Sequence, residues 1–94
     1  MSISLIALWN KPGDVEAFEK HYHQTHMPLA RKLPGLKSAE TYKTQGDGPY
    51  YRVAVLHFDG PDALGAAMGS PEGAALMEDT QKLGTLDTLV VEDD

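Results

Sequence analysis

Tyr51-Arg52-Val53-Ala54-Val55-Leu56-His57-Phe58-Asp59 is the stretch whose reading decides the architecture. It is dense in β-branched and aromatic residues, which predicts a strand. Side chains alternate across a strand, so Ala54, Leu56 and Phe58 share one side, while Tyr51, Val53 and Val55 share the other. A strand that is apolar on both sides is normally covered on both.

Outward from that strand, Gln45-Gly46-Asp47-Gly48-Pro49 reads as a turn. The mixed segment 36–44 before it reads as a partly exposed strand. Further upstream, residues 3–9 form a short apolar run halted by Asn10-Lys11-Pro12-Gly13, a buried strand ended by turn residues. Asp14 can cap a helix, and Val15, Phe18, Tyr22, His26, Leu29 and Leu33 then recur every three or four residues as one apolar stripe. Pro34-Gly35 stops it. Downstream, Gly60-Pro61-Asp62 opens a second helix, and Ser70-Pro71-Glu72 restarts it with Ser70 as cap and Pro71 in the first position, where its missing N–H costs nothing. The restarted helix is expected to point Leu76, Thr80 and Leu83 inward. Residues 86–92 close the chain as a fourth strand.

Strand, helix, two strands, helix, strand is the order of two split βαβ units, an α+β, ferredoxin-like βαββαβ sandwich with a four-stranded antiparallel sheet. Two helices cover one face of such a sheet. The doubly apolar strand at 51–59 therefore calls for a second subunit over the other face, and His57, which alternates with Val53 and Val55, falls in that interface.

The bulk properties agree with a single domain over residues 1–94. A chain of this size hides only about 60–68% of its unfolded surface, so it gains from a staple or a partner. With no cysteine, disulfides and thiolate chemistry are excluded. Eight basic residues against fourteen acidic ones leave a net charge of −6, which argues against nucleic acid as a partner. No apolar run approaches the roughly 20 residues of a membrane span, and the first residues do not read as a signal peptide. A cytoplasmic location is expected.

The segment His21-Tyr22-x-x-x-His26-x-Pro28-Leu29-Ala30, followed by Leu33-Pro34-Gly35, resembles the first helix of the EthD family. Pro49-Tyr50-Tyr51, Phe58-Asp59 and Ser70-Pro71-Glu72-Gly73 resemble its later signatures in the same order, over about residues 3–80. The family's C-terminal pattern is an acidic residue followed by an aromatic. Asp79 matches the first, and no aromatic follows it. The resemblance implies a dimeric α/β-barrel of two ferredoxin-like sheets. Similar barrels serve as cofactor-free monooxygenases, polyketide cyclases, decarboxylases and isomerases.

Three histidines, His21, His23 and His26, crowd into six positions. On an ideal helix His26 lies about 40° from Tyr22 and faces the sheet, while His21 and His23 flank the stripe as solvated residues. Pro28 lacks the N–H that would bond to Gln24 and disfavours helical geometry at Met27, so a kink beside His26 is expected. Histidine titrates near neutrality and can take and return a proton. His26 is thus the candidate general acid/base and Tyr22 its polar partner, with Trp9, Tyr42 and Phe58 lining a pocket for a flat, aromatic or polyketide-like compound. A structural reading stands beside this one, in which His26 donates to a free carbonyl and Tyr22 fills core. A binding or accessory protein that carries a hydrophobic intermediate for a partner oxygenase is the alternative function. The related barrels that hold haem through a histidine make a third. No metal or cofactor is expected: Glu19, His23 and His26 straddle the stripe and lack the two-His-plus-Glu spacing of zinc helices.

Overall fold

The computed structural model describes residues 2–93. The elements run β1 (Ile3–Asn10), α1 (Val15–His21), a π-helical turn (Tyr22–His26), α2 (Met27–Arg31), β2 (Ser38–Lys43), β3 (Tyr50–Phe58), α3 (Pro61–Met68), α4 (Pro71–Leu83) and β4 (Leu86–Glu92). The strands form one sheet in the order β2-β3-β1-β4, antiparallel at every pairing. This is the ferredoxin-like α+β arrangement expected from the element order.

Local chemistry starts the helices where the sequence reading placed them. The Asp14 carboxylate accepts from the Ala17 N–H at 3.0 Å, a cap that contributes about 1 kcal/mol. Ser70 Oγ accepts from the Gly73 N–H at 3.1 Å, with Pro71 in the first turn. Pro28, however, does not break the first helix. Met27 keeps helical angles (φ −64°, ψ −37°), and its N–H reaches back five residues to the Tyr22 carbonyl. The chain widens into a π turn, and α2 restarts at Met27. Pro28 then sits in a new first turn, where an N–H is not demanded.

Register sorts the faces. Ile3, Leu5, Ala7 and Trp9 of β1 lie opposite Phe58, Leu56, Ala54 and Arg52 of β3. These residues face the helices, and Ile3, Trp9, Leu56 and Phe58 belong to the core with Phe18, Tyr22, Met27, Ala30, Leu33 and Leu76. The other face carries Ile6 and Leu8 opposite Val55 and Val53, and Leu89 and Val91 opposite Ile6 and Ser4. Leu89 and Val91 are exposed, and no helix among the described residues covers this face. Tyr51 leaves it, against expectation. A bulge skips Tyr51 between the pairs Trp9–Arg52 and Asn10–Tyr50, and its ring meets Phe18 edge-on at 5.7 Å on the helical side. His57 stays on the outer face. Its Nδ1 lies 2.8 Å from Ser4 Oγ and its Nε2 lies 2.7 Å from Glu40.

Candidate active site

The π turn positions the site. It leaves His23, Gln24 and Thr25 exposed while burying both Tyr22 and His26. The two rings stack at 5.5 Å, and Trp9 from β1 packs edge-on against the imidazole at 5.2 Å. The imidazole is walled by aromatic surface on two sides.

Its polar contact comes from α4. Asp79 Oδ2 lies 2.9 Å from His26 Nδ1, and Asp79 Oδ1 lies 2.7 Å from His21 Nε2. Asp79 is itself buried, so the carboxylate bridges the two imidazoles inside the protein. Burial alone would raise its pKa, but hydrogen bonds from His21 and His26 outweigh that and hold the carboxyl below its ordinary value. For His26 burial wins over the attraction of Asp79, and the imidazole is pushed below its ordinary value. The burial favours the neutral ring. A neutral ring facing a carboxylate keeps its proton on Nδ1 and donates it to Asp79, so Nε2 carries the lone pair. Two side-chain atoms are buried without a partner among the described residues, Trp9 Nε1 and Tyr51 Oη. Among the described residues no hydrogen bond reaches His26 Nε2.

The imidazole borders a cavity of about 120 Å³ between helices and sheet. Trp9, His26, Met27 and Ala30 border it from one side, and Leu76, Met77, Thr80, Leu86 and Thr88 from the α4–β4 side. Apart from the imidazole and two threonine hydroxyls the lining is apolar. An apolar cavity of roughly 150 Å³ accepts a benzene-sized guest, so this one fits about a single ring. Met77 is half exposed at its border.

The residues nominated from sequence are brought together only in part. His26 and Trp9 both border the cavity. Tyr22 is fully buried beside His26, but its hydroxyl lies 2.7 Å from Thr41 Oγ1 and does not address the imidazole. Burial raises the Tyr22 pKa, with the Thr41 bond opposing the rise. Phe58 is buried at the far end of β3, opposite Ile3. Tyr42 pairs with Val53 on the outer face and is 55% exposed. Neither borders the cavity.

Three residues carry more than the sequence reading gave them. Asp79 follows Leu76 by three and precedes Leu83 by four, so it shares their inward stripe, and that spacing was the available signal. His21 is not a free flank residue, because it shares Asp79. Glu19 holds buried Arg52 through two contacts, of 2.7 and 3.1 Å. The Arg52 guanidinium also reaches Thr41 Oγ1 at 3.1 Å and lies over the Tyr22 ring at 4.9 Å. These contacts fix the ring that stacks on His26. His23, by contrast, is exposed and 3.9 Å from Glu19. Among the described residues no group of three or more His, Cys, Asp or Glu side chains is arranged to hold a metal ion, and no helix is long and apolar enough to cross a membrane.

Comparison with known proteins places the chain among relatives. The family model described as EthD domain matches residues 10–85. A Rhodococcus erythropolis protein described as an uncharacterized 11.0 kDa protein in the thcB-thcC intergenic region is 36% identical over 70 residues, spanning 70% of this chain and 68% of the relative. The crystal structure of an EthD family protein from Bacillus halodurans C-125 matches with a TM-score of 0.95 at 33% identity, covering 100% of both chains. SnoaB, a cofactor-independent oxygenase from Streptomyces nogalater, matches with a TM-score of 0.74 at 17% identity, over 99% of this chain and 93% of its own. At that identity the likeness is one of fold. The EthD signatures, the shared backbone and the match across the whole helix–sheet core lead to one conclusion: the chain belongs to the EthD family.

Proposed function

We propose that this protein is a small cofactor-free enzyme of the cytoplasm that removes or returns a proton on a hydrophobic substrate, with His26 as general acid/base. The observation that carries this reading is the buried imidazole whose Nδ1 is engaged by Asp79 at the border of an apolar cavity. A base in that state accepts a proton at Nε2, and the Asp79 carboxylate stabilises the imidazolium that forms. Tyr22 acts through its stacked ring, and Trp9 forms the cavity wall. The substrate is a single aromatic ring, or the terminal ring of a polyketide-like compound whose remainder leaves past Met77. Monooxygenase, cyclase, decarboxylase and isomerase types all fit such a base, and the cofactor-independent oxygenase SnoaB is one instance on this fold. A haem macrocycle fits poorly, since about 120 Å³ is well below its bulk. The working unit is a homodimer joined through the uncovered sheet face, where Ile6, Leu8, Val53, Val55, Leu89 and Val91 offer apolar surface.

The test replaces His26 with Gln and measures turnover and urea stability on the same preparation. Loss of about 100-fold or more in turnover with folding intact supports the base; unchanged turnover of a substrate that the wild type converts overturns it. The apolar lining also favours a second reading, a carrier that holds a hydrophobic intermediate without reacting. Native mass spectrometry of protein purified from its own host separates the two, because a carrier retains an unmodified small molecule.

A further inference from the structure

The inner cavity is closed by buried and half-buried side chains except on one side. The lining residues that are exposed are Met77 of α4 and Thr88 of β4. The mouth therefore opens between α4 and β4. β4 is an edge strand of the sheet. Its residues Leu86, Thr88 and Val90 pair with Trp9, Ala7 and Leu5, which turns all three toward the helical side. Val90 is nonetheless 58% exposed and Met77 50%, so the helical layer stops short of this edge.

Exposed apolar residues that are scattered singly need no explanation, but these two are not scattered. Tyr42, Leu89 and Val91 belong to the outer sheet face, whereas Val90 lies on the opposite side. It follows Thr88 by two residues along β4, about 7 Å. Thr88 and Leu86 both border the cavity. An apolar strip thus begins inside the molecule, passes between Met77 and Thr88 and ends on the surface at Val90. The cavity itself, at about 120 Å³, holds about one ring.

We infer that the ligand is elongated, a flat ring in the cavity extended by an apolar arm that leaves between Met77 and Thr88 and lies along β4 against Val90. Met77 and Val90 are then the residues that set which arm is accepted. This rests on the proposed use of the cavity. Met77 suits the mouth because its unbranched thioether chain adapts its shape to a guest. The arm is half-covered there, and a fully buried methylene tightens binding about fourfold. A four-carbon arm should therefore contribute roughly tenfold.

The test titrates phenol and 4-butylphenol into protein labelled at its methionine methyl groups and follows the methyl signals by NMR. Phenol is expected to shift Met27 and Met68, which line the interior, and 4-butylphenol to shift Met77 as well and to bind roughly tenfold tighter. In Val90→Asp the phenol affinity should stay unchanged while the advantage of the arm falls to about twofold or less. Met77→Gln, at an exposed helix position, should lower it in the same way and serves if Val90→Asp does not fold. Equal affinities of the two probes for the wild type overturn the inference and leave the cavity as a one-ring site. A full arm advantage retained in both variants also overturns it. Light scattering supplies the last check: a Val90→Asp protein that loses a dimer present in the wild type assigns the strip to a second copy instead. If neither probe binds the wild type, the cavity reading falls first and the inference with it.

Discussion

Asp79 meets His26 at 2.9 Å across the interface between α4 and the π turn, buried carboxylate to buried imidazole. The contact ties the first helical segment to α4 within the single helical layer through a buried polar pair. It fixes the ring's orientation and its tautomer together, and both are needed if Nε2 is to face the cavity.

Replacing Asp79 with Asn keeps the shape and removes the charge. The amide oxygen can accept from one imidazole, and its NH2 group can meet the other only if that ring turns a lone pair toward it. We expect a stability loss of about 1.5–3 kcal/mol, the range for a hydrogen bond to a charged group, and a mixed His26 tautomer. Urea denaturation measures the first and histidine-labelled NMR the second; an unchanged tautomer would count against Asp79 as the orienting group.

Stability should fall on acidification in two steps. His26 has a folded pKa below its ordinary value because it is buried, so the unfolded chain binds the proton first. Its contribution is complete above about pH 6.5 and is lost as pH falls toward the folded value. Asp79 is also depressed, burial being outweighed by its two histidines, so its contribution is complete above about pH 3.9 and disappears as pH falls through its lower folded value. Urea midpoints between pH 8 and 3 should show both limbs, and His26→Gln should flatten the upper one.

Glu19→Ala would strand the Arg52 guanidinium, whose side chain is only 5% exposed. Removing one partner of a buried pair costs roughly 3 kcal/mol. The double variant Glu19→Ala/Arg52→Met should recover part of that loss, since no charge is then left in the interior. A single-variant loss below about 0.5 kcal/mol would match an ordinary surface pair instead.

Gly73 sits where α4 crosses the end of α3, and an added Cβ would run into the backbone carbonyls of Ala67 and Met68. Neither carbonyl can step aside without moving α3. Gly73→Ala is expected to cost about 1–3 kcal/mol by overpacking, despite alanine's higher helix propensity. Thermal unfolding provides the check, and a raised Tm would contradict the close approach.

Val55→Asp places a charge in the middle of the uncovered sheet face. If two copies meet there, light scattering should show a dimer for the wild type and a monomer for the variant at micromolar concentration. A wild-type monomer would remove the need for a second subunit.

Much of this fold was legible because periodicity reports burial. The stripe through Phe18, Tyr22 and His26 turned His26 inward, and Ser70-Pro71 marked a helix restart by capping chemistry alone. What escaped depended on pairings between distant segments. Composition groups Tyr42 and Phe58 with Trp9, yet register puts Tyr42 on the outer face, while Phe58 shares the face of Trp9 at its opposite end. Tyr51 escaped because a bulge shifts parity in mid-strand. Asp79 is matched to the family pattern, but its place beside His26 is not legible, because a lone carboxylate on a helix is ordinarily a solvated residue and only contact with two histidines far earlier in the chain makes its burial tolerable.

The π turn has a last consequence. His23, Gln24 and Thr25 look out to water, so their identities are open to exchange. Their number is not. Adding or dropping one residue there would swing everything downstream by about 100° about the axis, carrying Met27 and Ala30 off the sheet and the imidazole away from Asp79. This stretch is permissive to substitution and intolerant of insertion or deletion.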